Sequence, residues 1–330
     1  MTDESALTRA ELDDIFASRI TLRLSAAGAG PTSRPEAVMF AAQPGAGKSV
    51  ALGLHAPETD YVYVIGDDLR RFHPDYRRLM RTDPAAMPAA TSQASGQWVQ
   101  RGLAWAREQS RSVAWETTLR APEVLDDLRR FAERGWKVRV VALAVPREVS
   151  LAGTVRRYLD ELREHGAGRA SPLDIHDQAY VKGPHALTLI RQQLPDVQLT
   201  AVDRAGEVLA EGDAVPDVIA EAHSRPLTDQ ERAYVASELA AADAQVAALR
   251  GRGVELDPVM LANLAEARRG LEGGPDARQY AAEEGWWRPT PAASPSFPSH
   301  PVAATQPRSQ QPSRRGPVGL PPTPGRGLDR

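Results

Sequence analysis

The chain has 330 residues, room for two domains or for one domain with tails, and its formal net charge of −3 gives no general pull toward nucleic acid or an anionic membrane. It contains no cysteine, which excludes disulfides and cysteine-ligated metals. No stretch approaches the roughly 18 uninterrupted apolar residues of a membrane span, and Met1-Thr2-Asp3-Glu4-Ser5 lacks the basic start and apolar core of a secretion signal, so a cytoplasmic protein is expected.

Leu12, Ile15, Phe16 and Ile20 recur at helical spacing and predict a helix from about Thr8 to Leu24. Thr8 would cap it, with Glu11 completing a capping box. Ala27-Gly28-Ala29-Gly30-Pro31 ends it, so residues 1–35 read as an N-terminal helical extension. Ala37-Val38-Met39-Phe40 then reads as a buried strand, and Val50 to Leu54 as the first turns of a helix. Between them lies Gln43-Pro44-Gly45-Ala46-Gly47-Lys48-Ser49. A glycine-rich turn between strand and helix, closing on Gly-Lys-Ser, is a phosphate-binding loop. Glycines let backbone N–H groups converge without a Cβ in the way, and the helix N-terminus adds partial positive charge. Lys48 is placed to reach the β- and γ-phosphates, and Ser49 to hold Mg²⁺. The chain is rich in arginine and has only three lysines, Lys48, Lys137 and Lys182, so a compact ammonium at this position stands out. The motif's first glycine position holds Ala42, which fits if its φ is negative.

Tyr61 to Gly66 is a second strand, and Asp67-Asp68 follow at its C-terminal end, where open α/β sheets bind ligands. One of the two carboxylates would accept the proton of an attacking hydroxyl; spacing alone does not choose between them. His73-Pro74 shapes a turn. A helix is expected from Ser92 to about Gln109. Ser112 to Glu116 is a third strand that again ends in a carboxylate, Glu116, suited to orienting a substrate or holding Mg²⁺ through water; Thr118 and Arg120 follow. A helix over Pro122–Arg134 closes at Gly135, and the apolar run Val138–Val145 reads as a central parallel strand. A further helix carries Leu151, Val155, Tyr158 and Leu162 to His165. Arg156, Arg157 and Arg169 flank the glycine-bearing segment 165–169 and are suited to neutralising charge on a transferred phosphoryl group. Val197 to Val202 is the fifth strand. The alternation predicts an α/β fold, a P-loop kinase-like parallel sheet with helices on both faces.

After Arg204, helices are expected over Pro226–Arg250 and Pro258–Leu271, packed as a hairpin beside the sheet or extending from it, within a helical C-terminal region over 205–285. Trp286-Trp287 would close the core or mark a contact patch, and the Pro-, Ser- and Arg-rich stretch 286–330 reads as a disordered tail. No Asn-Lys-x-Asp motif for reading guanine is present.

Over residues 36–204 the sequence resembles the zeta toxin family of toxin–antitoxin kinases. The resemblance rests on the phosphate loop, on Ile65-Gly66-Asp67-Asp68-Leu69-Arg70 followed by His73-Pro74-Asp75-Tyr76, on Glu116-Thr117-Thr118-Leu119-Arg120, on Ala144-Val145-Pro146 followed by Arg156-Arg157-Tyr158, and on Arg169-Ala170-Ser171-Pro172. It implies an ATP- and Mg²⁺-dependent kinase acting on a sugar hydroxyl of UDP-N-acetylglucosamine or a related nucleotide sugar, with an antitoxin protein as a partner. It also implies Asp67 as the base, Lys48, Arg157 and Arg169 as phosphate-stabilising cations, and Glu116, Thr118 and Arg120 as the substrate loop. Gln100 stands where the family can carry an acidic residue that contacts the sugar. Two alternatives stay open: a P-loop kinase for another small molecule such as an antibiotic, or a nucleotide-binding interaction protein without catalysis.

Overall fold

A computed structural model describes residues 6–120 and 123–273, which belong to one packing unit. The expectations for Trp286-Trp287 and for the tail lie outside the described residues.

Six strands form one sheet: β1 (Glu36–Ala41), β2 (Val62–Val64), β3 (Val113–Thr117), β4 (Lys137–Leu143), β5 (Gln198–Val202) and β6 (Val208–Glu211), in the spatial order β2-β3-β1-β4-β5-β6. The first five run parallel, and β6 adds antiparallel to β5 at one edge. Strand β1 lies between β3 and β4, and period-two alternation explains its continuous apolar run. Ala37, Met39 and Ala41 enter the core on one face, while Val38 and Phe40 enter the core on the other. The four-residue β6 was not expected from sequence; Val208 and Leu209 on it are exposed, so it carries no core pattern to read.

The first face is covered from the N-terminus. Helix α1 (Arg9–Ile15) starts at the Thr8–Glu11 capping box, as predicted. The expected single helix is interrupted by a π-helical turn, Phe16–Ile20, before α2 (Thr21–Ala26). At roughly 100° per residue, eight α-helical steps would leave Ile20 about 80° off the face of Leu12; the inserted residue restores the alignment. Leu12, Ile20 and Leu24 are consequently all buried. Arg111, itself buried, donates to the carbonyls of Leu24, Ser25 and Ala29 and so caps the end of α2.

Helix α3 (Lys48–His55) follows the loop after β1, and the short α4 (Gly66–Leu69) follows β2. Helices α5 (Tyr76–Thr82) and α6 (Met87–Ala90) lead into α7 (Ser92–Glu108), whose Trp98 is fully buried and donates to the Leu12 carbonyl. Helix α8 (Glu123–Ala132) precedes β4, and α9 (Arg147–His165) follows it. The stretch after Pro172, which shows no legible element in the sequence, is the 21-residue α10 (Leu173–Gln193) with Pro184 inside it. Helix α11 (Val215–Ala222) returns to the first face.

Helices α12 (Asp229–Gly251) and α13 (Pro258–Leu271) both pack on α9 and on each other. Their Val235, Leu239, Val246, Met260 and Leu264 join the core of the second face beside Leu52, Leu151, Val155 and Leu159. Of the two arrangements the sequence allowed, packing alongside the sheet is the one adopted. Among the described residues, no helix is long and apolar enough to cross a membrane.

Candidate functional site

The loop between β1 and α3 takes the shape its glycines permit. Gly45 (φ 78°) and Gly47 (φ 102°) occupy left-handed conformations, and Gly47 is the N-cap of α3. Ala42 is not among the positive-φ residues, and its N–H donates to Thr117 O at 3.3 Å. Alanine therefore meets the requirement at that position. A Cβ on Gly45 would lie 2.0 Å from Ser150 O, and one on Gly153 would lie 2.3 Å from Gly45 O, so the loop and α9 touch backbone to backbone. Arg204, just beyond β5, donates to the same Gly45 O at 2.6 Å, its guanidinium lying beside Gly153.

Gln43 is buried. Its Nε2 donates to Val145 O at 2.8 Å and to Ser150 Oγ at 3.1 Å, bracing the loop on α9. Ala46 is fully buried. Lys48 folds back across the loop and donates to Ala42 O at 3.0 Å and Gln43 O at 3.1 Å. Burial lowers its pKa, opposed by the neighbouring Glu116 carboxylate. Ser49 is exposed in the first turn of α3.

A cleft of about 270 Å³ opens beside the loop, lined by Pro44, Lys48, Asp67, Glu116, Thr118, Arg157 and Arg169 among others. The sequence-predicted residues thus converge from five separate elements. The cleft also holds Arg70 and Ser171, neither of which the sequence marked as a site residue on its own. Four cations, Lys48, Arg70, Arg157 and Arg169, face two carboxylates, Asp67 and Glu116. That excess suits a polyanionic ligand.

The two adjacent aspartates part company. Asp67 enters the cleft, where Arg169 Nη2 donates to its Oδ2 at 2.6 Å and Arg70 Nε to its Oδ1 at 3.1 Å. Burial by itself would raise the Asp67 pKa, but Arg169, Arg157 and Arg70 override it and hold the carboxyl at about 2. Asp68 does not line the cleft and pairs with Arg23 of α2 at 2.8 Å and with Arg71 at 3.1 Å. Glu116 moves the opposite way to Asp67: burial raises its pKa, with Lys48 pulling it down and Asp67 pushing it up.

Arg70 is fixed by Pro88 O and Thr91 Oγ1, both at 2.7 Å. Arg157 donates from Nη2 to Ser171 Oγ at 2.6 Å, while its buried Nε has no hydrogen-bond partner among the described residues. Arg156 faces away, exposed, and pairs with Glu238 at 3.6 Å. After β3, Leu119 takes a left-handed backbone (φ 53°) that costs a non-glycine residue about 1–2 kcal/mol. Its buried side chain anchors that turn beneath Thr118. Arg120 does not line the cleft; its Nε donates to Thr118 Oγ1 at 3.0 Å. Gln100 lies elsewhere: on α7 its Nε2 donates to Asp127 Oδ2 of α8 at 2.9 Å, because the α7 face that carries it turns toward α8. No cluster of three or more His, Asp or Glu side chains suited to a metal occurs among the described residues.

One family profile, that of zeta toxins, matches residues 24–212. Among curated proteins no sequence matches the chain. Among solved structures, the fold is similar to a chain from the PezAT chromosomal toxin–antitoxin system of the human pathogen Streptococcus pneumoniae, with a TM-score of 0.62 and 18% identity over 74% of this chain and 98% of that one. A structure of AvrRxo1-ORF1:-ORF2 with ATP aligns with a TM-score of 0.44 and 17% identity over 78% of this chain and 87% of that one.

Proposed function

The chain belongs to the zeta toxin family, whose profile covers more than half of it, and from that premise we propose that it is an ATP-dependent kinase of a small-molecule hydroxyl, with a nucleotide sugar such as UDP-N-acetylglucosamine as acceptor. The observation that carries the reading is the convergence of four cations and one ion-paired aspartate on a cleft bordered by the phosphate loop. In this reading the loop N–H groups and Lys48 hold the ATP phosphates, and Asp67 receives the proton of the acceptor hydroxyl. Arg157 and Arg169 stabilise charge spreading over the transferring phosphoryl group. Glu116 and Thr118 face the acceptor side.

Arg169 has two roles in sequence. It clamps Asp67 and keeps it a weak base. A phosphoryl group entering the cleft competes for the same guanidinium, which frees Asp67 as the reaction begins. The chemistry of the exposed Ser49 hydroxyl, next to Lys48, fits magnesium, which would take its other ligands from nucleotide phosphates and water rather than from a protein cage. Bound there by Ser49, the ion would neutralise phosphate charge.

An antitoxin protein is the partner we propose; its support is the family itself and the toxin–antitoxin system that supplied the similar fold. The test is transfer of labelled γ-phosphate from ATP to UDP-N-acetylglucosamine. Wild type should label the sugar, Lys48→Ala should lose at least about 10³-fold with an unchanged unfolding temperature, and Asp67→Asn should lose about 10²–10⁴-fold. Full activity in Lys48→Ala would sink the assignment. Failure of a folded, ATP-binding wild type to label this acceptor would shift the reading to another small molecule.

A further inference from the structure

Helix α13 lies beyond the stretch matched by the family, yet one of its side chains reaches the machinery of the cleft. Asn263 is 1% exposed. Its Nδ2 donates to Ser171 O at 2.9 Å and to Thr154 Oγ1 at 3.2 Å. Ser171 is the residue whose hydroxyl accepts from Arg157, at 2.6 Å. Thr154 is, with Ser150, one of the α9 residues against which Gly45 packs, since a Cβ on Gly45 would lie 2.8 Å from both its backbone N and its Cγ2. One buried amide therefore sits behind both the arginine segment and the phosphate loop.

Burying a carboxamide costs free energy that only hydrogen bonds offset. Asn263 makes that exchange incompletely, because its Oδ1 is buried without a partner among the described residues. An apolar side chain of the same size would satisfy packing better, so the polar side chain is tied to what its Nδ2 holds. A second buried chain runs from the same helix to the same loop. Glu266 meets Arg147 at 3.3 Å, Arg147 pairs with Asp177 at 2.8 Å, His176 bridges Asp177 and Ser150, and Ser150 holds Gln43.

We propose that Asn263 is a positioning residue for phosphoryl transfer: by holding the Ser171 backbone it aims the Ser171 hydroxyl, and through it the Arg157 guanidinium, at the γ-phosphate. The proposal rests on the kinase reading above. It makes helix α13 part of the phosphate site rather than an appendage beside it.

The experiment is a thermodynamic cycle on nucleotide binding, which needs no knowledge of the acceptor. The affinities of the full chain for MgATP and MgADP are measured by calorimetry for wild type, Asn263→Leu, Arg157→Leu and the double variant. The ratio of the two affinities reports contacts to the γ-phosphate. Asn263→Leu should reduce the ratio about 5–10-fold, Arg157→Leu by at least as much, and the double variant by no more than Arg157→Leu alone. Ser171→Ala, a milder change that leaves the backbone in place, should reproduce the Asn263→Leu loss. Independent multiplication of the two losses would overturn the proposal, as would an unchanged ratio in folded Ser171→Ala or Asn263→Leu. A wild type that binds ATP no more tightly than ADP would overturn the proposal and leave the kinase reading standing, because catalysis needs tighter binding of the transition state only; a wild type that binds neither nucleotide would overturn both.

Discussion

Asp67 and Asp68 are neighbours with the same chemistry, and spacing could not separate them. Position on the first turn after β2 does: one carboxylate faces Arg169 and the other faces Arg23. Arg70 and Ser171 were present in the motif series but carried no individual signal, because an arginine or a serine in a loop is common and its partners are far away in sequence. The strained backbone at Leu119 is likewise invisible before folding. The Asp67 carboxyl, held at about 2, stays ionised as pH falls well below the usual carboxylate range. Its ion pair adds stability that is present above the unfolded value near pH 4 and lost as pH falls toward 2; with about half of that side chain exposed, the contribution is small. Activity is the sensitive readout. Removing Arg169 takes away the strongest of the three cations that lower the Asp67 pKa, leaving only Arg157 and Arg70, so the acid limb of the rate profile in Arg169→Ala should move to higher pH, alongside a rate loss of about 10²-fold or more. A pH–rate profile of kcat/KM for both proteins checks this.

At the scale of elements, long apolar runs were legible and polar interiors were not. Strands β1 to β5 declared themselves, since a parallel strand buried on both faces has little choice of residue. Helix α10 was hidden by Pro184, which breaks the expected pattern although tertiary packing holds the helix through it. It carries His176 and Asp177 into the interior, where Ser150 Oγ, His176 and Asp177 line up at 2.8 and 2.9 Å. This resembles a nucleophilic triad in geometry, but Ser150 and His176 have no solvent exposure, so the alignment serves as a brace. Burial lowers the His176 pKa, only partly offset by Asp177. The unfolded chain takes up a proton near pH 6.5 that the folded chain refuses, so stability falls as pH drops below that value. Replacing His176 by Gln should cost about 1–3 kcal/mol at neutral pH and flatten the dependence between pH 7 and 5. Urea midpoints across that range measure both effects.

For the molecule as a whole, the family profile ends at residue 212 while the core does not. Helices α12 and α13 cover Val155 and Leu159 of α9, each contributing about 1.5–3 kcal/mol when fully buried. A chain ended after Arg225 would expose that face, and it should lose cooperative unfolding and aggregate, as light scattering and a thermal melt would record. The contact between Gly45 and Gly153 has a kinetic counterpart. It joins the phosphate loop to the helix bearing Arg157, with Arg204 fastened to the same carbonyl, so this part of the receptor is already cast before nucleotide arrives. Capture of a fluorescent ATP analogue in a stopped-flow instrument should then be a single exponential whose rate rises linearly with concentration. A rate that levels off would mean the mould must first be made.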